Sequence, residues 1–112
     1  MKRFIKIALF AIALFSTTSI FAQKQEIRVF SHRGGTMAAF QASYDAGYRG
    51  FEVDIRLTKD GEMVITHDHT LERTTNGKGI VEEKTADELR ALQTKKGGKL
   101  AFLPELLEWL KD

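Results

Sequence analysis

The stretch Phe51–His69, FEVDIRLTKDGEMVITHDH, decides how the chain is read. Its first half alternates: Phe51, Val53, Ile55 and Leu57 fall on one face of a strand, and Glu52, Asp54 and Arg56 on the other, because strand side chains alternate with period two. Asp60-Gly61 then marks a hairpin, since a tight two-residue turn needs positive φ at its central positions. Met63-Val64-Ile65 returns as an apolar strand and runs into His67-Asp68-His69. A two-residue loop at Asp60-Gly61 sets Lys59 opposite Glu62, Asp54 opposite His67 and Glu52 opposite His69. Directly opposed residues share a face, so this register predicts one polar patch of two carboxylates and two imidazoles. A longer loop would slip the register. A half-buried hairpin also carries polar residues on its solvent face for no chemical purpose. What favours chemistry is that this face is rich in metal-binding and proton-transfer groups, and that a second histidine motif stands upstream.

The 112 residues suit one small domain, and the absence of cysteine excludes disulfides and thiolate metal sites. The net charge of +2 is unevenly placed. Of 17 basic residues, Lys2, Arg3 and Lys6 lie in an acid-free leader, which leaves 14 against 15 acids elsewhere. No basic surface for nucleic acid is implied. Residues 1–22 read as a secretory signal: a positive start, an apolar Ile7–Phe15 and a small Ala22 before Gln23. The apolar run is shorter than the roughly 20 residues of a membrane span, so the mature chain is expected to be exported, periplasmic or secreted, without a stable span.

After the leader, Glu26–Phe30 reads as a strand ending in Ser31-His32-Arg33-Gly34-Gly35. Strand ends that open into glycine-containing loops are where α/β proteins place chemistry. His32 can move protons near neutral pH, and Arg33 offers a fork suited to phosphate oxygens. Gly34-Gly35 lets backbone approach a ligand. Thr36–Ala46 reads as a helix with a Met37, Phe40, Tyr44 stripe, a Thr36 cap and a Gly47 stop. Strand, helix and strand in sequence make a βαβ unit. Thr70–Gly79 reads as a loop in which Arg73 is a solvated charge. Thr85-Ala86-Asp87-Glu88 is a capping box opening a short helix through Leu89 and Leu92, and Lys95–Lys99 is a solvated turn. Pro104 starts a last helix, whose apolar face is Leu106, Leu107, Trp109 and Leu110.

Ser31-His32-Arg33-Gly34-Gly35, Ala39-Phe40, Gly50–Asp54, Thr58–Gly61, Val64–Asp68, Leu71–Gly79 and Leu103-Pro104, in this order and spacing, resemble the glycerophosphodiester phosphodiesterases over most of residues 28–110. The resemblance implies an α/β fold, the N-terminal portion of a phospholipase-C-like TIM (β/α)8 barrel. It implies hydrolysis of a small-molecule glycerophosphodiester to glycerol 3-phosphate and an alcohol, with a divalent cation. His32 and His67 match the family's acid–base histidines, Arg33 its phosphate-contacting arginine, and Glu52 and Asp54 two of its metal carboxylates. Oxygen ligands of this kind suit Ca²⁺ or Mg²⁺. His69 matches no role in the pattern and reads as structural.

The sequence departs from the family in two places. Family members carry several more residues where Thr36 follows Gly35 directly. A TIM barrel takes about 250 residues, whereas positions 23–112 supply about 90, and the family's third metal carboxylate lies on a strand beyond Leu110. Residues 23–112 are therefore expected to be a partial domain, incomplete as a barrel and neither well folded nor active alone. Two alternatives stand beside the enzyme: a non-catalytic exported fragment, and a related barrel phosphodiesterase acting on another phospholipid-derived diester. The leader makes its own prediction. Mass spectrometry of exported protein should find a mature N-terminus at Gln23, and an intact Met1 on cytoplasmic material would refute the export reading.

Overall fold

The computed structural model describes residues 26–32 and 34–112, so the leader expected at 1–22 and Arg33 lie outside the described residues. Strand β1 (Phe30–His32) leads into helix α1 (Met37–Asp45) and strand β2 (Gly50–Glu52). Strands β3 (Ile55–Leu57) and β4 (Met63–Ile65) follow. A 3₁₀ turn (Val81–Glu83) precedes helices α2 (Ala86–Arg90) and α3 (Leu103–Trp109). β1 pairs with β2 in parallel, with Phe30 opposite Gly50, Ser31 opposite Phe51 and His32 opposite Glu52. The helix between them completes the expected βαβ unit. Thr36 caps α1, its hydroxyl accepting from the Ala39 amide at 3.1 Å.

Three expectations are corrected. The first strand is Phe30–His32 rather than Glu26–Phe30, because only there does the backbone meet a partner. Pairing, not apolar content, makes the strand. The stretch from Phe51 to Leu57 is likewise two strands, and Val53-Asp54 separates them. Its apolar face does not stay in the core: Ile55 and Leu57 are 37% and 56% exposed.

The hairpin register is the third correction. β3 and β4 pair antiparallel with Ile55 opposite Ile65, Arg56 opposite Val64 and Leu57 opposite Met63. The Thr66 amide then donates to the Asp54 carbonyl at 3.0 Å, so Asp54 lies across from Thr66 rather than His67. The loop is one residue longer than a two-residue turn. It is closed by the Thr58 amide on the Glu62 carbonyl at 2.8 Å, and Gly61 sits at φ +82°, the three-residue hairpin in which glycine takes the left-handed position. Asp60 does side-chain work instead of turn work. Its Oδ1 accepts from the Thr58 hydroxyl at 2.6 Å and from the Ala86 amide at 2.9 Å, and those bonds, Thr58's first, hold its carboxyl below the usual range. Asp60 thus ties the hairpin tip to the first turn of α2. There Thr85 and Glu88 form the expected capping box.

The core lies on both sides of β4. Val64 packs with Leu71, Val81, Ala86, Leu89, Leu100 and Phe102, whereas its neighbour Ile65 packs with Phe40, Ala101 and Leu106. The segment before α3 runs antiparallel to β4, with Val64 opposite Phe102 and the Ile65 amide donating to the Ala101 carbonyl at 2.9 Å. Helix α3 reaches α1 through Trp109, which meets Phe51 and Tyr44 edge-on at 5.8 Å each and donates to Gln41 at 3.1 Å. Its expected apolar face is only half buried: Leu106 is inside, but Leu107 and Leu110 are 53% and 49% exposed. Phe102→Ala should therefore cost about 3–5 kcal/mol, and Leu107→Ala should stay within about 0.5 kcal/mol. Urea unfolding midpoints of the two variants would measure this, and equal losses would contradict the packing.

Candidate active site

His32 and Glu52 are the last residues of two parallel strands and stand directly opposite each other. His32 Nε2 lies 3.4 Å from Glu52 Oε2, with both side chains about half open to solvent. The carboxyl ends of parallel strands are where open and closed α/β sheets carry their chemistry, and two short strands suffice to set this pair. The glycines after His32 serve the fold as well as any ligand. A Cβ on Gly34 would stand 2.2 Å from the Phe40 ring, so the backbone passes directly over that buried side chain. Arg33, expected to contact phosphate, is outside the described residues.

The cross-strand register expected for Glu52, Asp54, His67 and His69 does not form, since Asp54 lies across from Thr66. The one-residue slip in the hairpin moves His67 off Asp54, and each histidine takes a different carboxylate. His67 Nδ1 lies 2.9 Å from Asp68 Oδ1, and His69 Nδ1 lies 3.2 Å from Glu82 Oε2. Asp54 is half-buried and contributes its carbonyl to the ladder. No hydrogen bond or ion pair joins the His32–Glu52 pair to His67 among the described residues. His69 keeps an exposed side chain beside Glu82.

Two arginines hold the dipeptide His67-Asp68. Arg56, from β3, donates to the His67 carbonyl through Nε at 3.2 Å and Nη2 at 2.9 Å, and to Glu82 Oε1 through Nη1 at 2.8 Å. Arg73 grips Asp68 as a fork, Nε to Oδ2 at 2.6 Å and Nη2 to Oδ1 at 2.8 Å. Arg73 is therefore not the free solvated charge expected of it. Its hydrogen bonds, with that of His67, hold the Asp68 carboxyl well below the usual carboxylate range, and Asp68 raises Arg73 in return. Arg56 depresses Glu82 in the same way. Neither Asp68 nor Arg73 was legible as a partner in sequence; the signal available was a carboxylate beside a histidine with an arginine one turn further on. Glu82, 26 residues from Arg56, carries no local signal.

The donor set bears on a metal. Glu52 and Asp54 offer oxygen ligands of the hardness Ca²⁺ or Mg²⁺ prefer, but no group of three metal-binding side chains is assembled among the described residues. The two carboxylates fit such an ion as part of a site rather than as a cage.

The model of the glycerophosphoryl diester phosphodiesterase family matches residues 31–112. The chain belongs to that family. It is 43% identical over 91 residues to a glycerophosphodiester phosphodiesterase of Caldanaerobacter subterraneus, a match covering 71% of this chain and 37% of that protein. The crystal structure of a glycerophosphodiester phosphodiesterase from Agrobacterium tumefaciens superposes with a TM-score of 0.72 at 31% identity, covering 77% of this chain and 43% of the other. A phosphodiesterase from Oleispira antarctica, solved with sn-glycerol-3-phosphate, superposes at 0.69 and 29% identity over 76% of this chain and 40% of its own. The described residues thus form part of the family's α/β barrel, and the chain spans about two fifths of the length of these relatives.

The depressed carboxylates set a direction with pH. Asp68, Asp60, Glu82 and Glu72 all have folded-state pKa values below their ordinary ones. Their stabilisation is complete above the unfolded values near pH 4 and is lost as pH falls through the lower folded values. Urea midpoints should hold from pH 7 to about 5 and fall below about 4. In Arg73→Gln the acid loss should be smaller, because Asp68 no longer has its first partner; an unchanged acid slope would contradict this.

Proposed function

We propose that this chain contributes His32, Arg33, Glu52, Asp54 and His67 to the hydrolysis of a glycerophosphodiester to glycerol 3-phosphate and an alcohol. The observation that carries the reading is the parallel register of β1 and β2, which sets an imidazole against a carboxylate at the carboxyl ends of two barrel strands. The relatives' names support the reaction class, and the product bound to the Oleispira phosphodiesterase supports a glycerol phosphate ligand. The activity is proposed for the whole barrel, of which this chain supplies part.

The residues divide the work by chemistry. One of His32 and His67 takes the proton from the oxygen that attacks phosphorus. The other returns a proton to the alkoxide that leaves as the phosphorus–oxygen bond breaks. Arg33 pairs with the non-bridging phosphate oxygens. Glu52 and Asp54 would hold a divalent cation, Ca²⁺ or Mg²⁺, which supplies charge stabilisation at the phosphoryl group when bound. Glu52 also faces His32, so one carboxylate links the metal-binding and proton-transfer roles.

The partner is a small molecule, and no helix among the described residues is long and apolar enough to cross a membrane. Export of the mature chain, with residues 1–22 as its signal and 23–112 as the catalytic part, belongs to the same proposal. In cation-dependent assays of glycerol 3-phosphate release by the whole barrel, His32→Ala and His67→Ala should each lower turnover by about 10²–10⁴-fold. Glu52→Ala and Asp54→Ala should instead raise the cation concentration needed for half-maximal rate. Full turnover by either histidine variant with the cation response intact would overturn the assignment.

A further inference from the structure

The contacts around His67 reach further than its place as one of two acid–base histidines. An ionised carboxylate accepts hydrogen bonds and has no proton to give. Asp68 is ionised well below the ordinary range, and its Oδ1 lies 2.9 Å from His67 Nδ1. The proton in that contact therefore sits on Nδ1. In the neutral imidazole one nitrogen is a donor and the other an acceptor, so Nε2 carries the free lone pair, and it has no hydrogen-bond partner among the described residues.

Arg73 fixes the Asp68 carboxylate in the orientation that makes this contact. The guanidinium occupies both carboxylate oxygens from one side, at 2.6 and 2.8 Å, and leaves Oδ1 to be shared with the imidazole. Arg73 itself stands on an anchored turn. Leu71, 1% exposed, is in the core, and its carbonyl accepts from both the amide and the hydroxyl of Thr75, at 3.0 and 2.7 Å. Lys95 Nζ donates to the Glu72 carbonyl at 2.6 Å. On the other side Arg56 fixes the His67 carbonyl, so the backbone is held while the ring is oriented. The arrangement runs from core to turn to guanidinium to carboxylate to imidazole.

We propose that Arg73, acting through Asp68, is a positioning residue that keeps His67 in the Nδ1–H tautomer, so that Nε2 is the nitrogen that exchanges a proton with the reacting oxygen. The proposal rests on the phosphodiesterase reading for its meaning but not for its test. Neither Arg73 nor Asp68 need touch substrate. An arginine is suited to the task because its planar fork fixes a carboxylate in two directions, which a lysine point charge does not.

The test is a two-bond ¹⁵N–¹H correlation spectrum of the His67 ring in the full chain near neutral pH, read beside turnover by the whole barrel. The expected wild-type spectrum shows a protonated Nδ1 and an unprotonated Nε2. Arg73→Gln should lose that single tautomer, and Arg73→Lys should restore it only in part. Asp68→Asn should switch the ring to Nε2–H, because the introduced amide can donate to Nδ1, as occurs when a triad aspartate is replaced by asparagine. The amide signals of Val64, Ile65 and Leu71 report whether each variant keeps the core; should Arg73→Gln lose it, Arg73→Lys and Asp68→Asn carry the comparison. In turnover assays Arg73→Gln should lower kcat with KM little changed. A wild-type ring protonated on Nε2, or a tautomer indifferent to Arg73 and Asp68, would overturn the proposal whatever the activity. A wild-type chain that shows the Nδ1–H tautomer and its dependence on Arg73, yet no phosphodiester hydrolysis in the whole barrel, would uphold the positioning and count against the function instead.

Discussion

The structure depends on one strand being buried on both faces. Val64 and Ile65 are adjacent, so their side chains leave β4 in opposite directions, and both are fully buried. Each enters its own cluster, one built from the loop and α2, the other from α1 and α3. A strand in this position cannot shift by a residue without exchanging the two clusters. It therefore sets the register for everything hydrogen-bonded to it, including β3 on one edge and Ala101-Phe102 on the other.

That constraint is what delivers the histidine. Three residues follow the end of the ladder to Asp68, and His67 leaves the core at a defined point because Ile65 and Thr66 are buried just before it. Beyond that point apolar packing gives no further direction, and polar contacts take over. Arg56 holds the backbone and Arg73 the carboxylate, each with a charge-assisted or bidentate geometry that is stronger and more directional than an ordinary hydrogen bond. These side chains are partly open to solvent, so their value is orientation rather than a large contribution to stability.

The first histidine is positioned by different means. His32 ends a three-residue strand whose partner is fixed by the crossover helix, and backbone pairing places it opposite Glu52. Phe40 connects the two halves of the structure. It lies beneath Gly34 in the loop after His32, meets Phe51 edge-on at 5.7 Å, and shares its cluster with Ile65 on β4. The βαβ unit and the hairpin are thus packed on a common set of apolar side chains, although their strands form two separate ladders.

Sequence alone determined the features that rest on local chemistry. Thr36 and the Thr85–Glu88 box cap their helices because a side-chain oxygen within three residues is enough to satisfy the exposed amides. The alternation of β and α elements gave the βαβ unit, and the order of motifs from Ser31 to Pro104 pointed to the family and to His32, Glu52, Asp54 and His67 as the residues to follow. What only the tertiary structure decided was how those residues group. Asp60-Gly61 is compatible with a two- or a three-residue loop, and the choice went to the longer one because Asp60 is drawn to Thr58 and to the Ala86 amide, 26 residues away. That single residue of slip separated His67 from Asp54 and left His67 to Asp68, and it gave Glu82, far along the chain, to Arg56 and His69. Alternation along a strand is a local property, whereas the partner across a strand depends on contacts made by the loop that joins the two. For that reason the residue types of the candidate site were readable in the sequence, and their pairing was not.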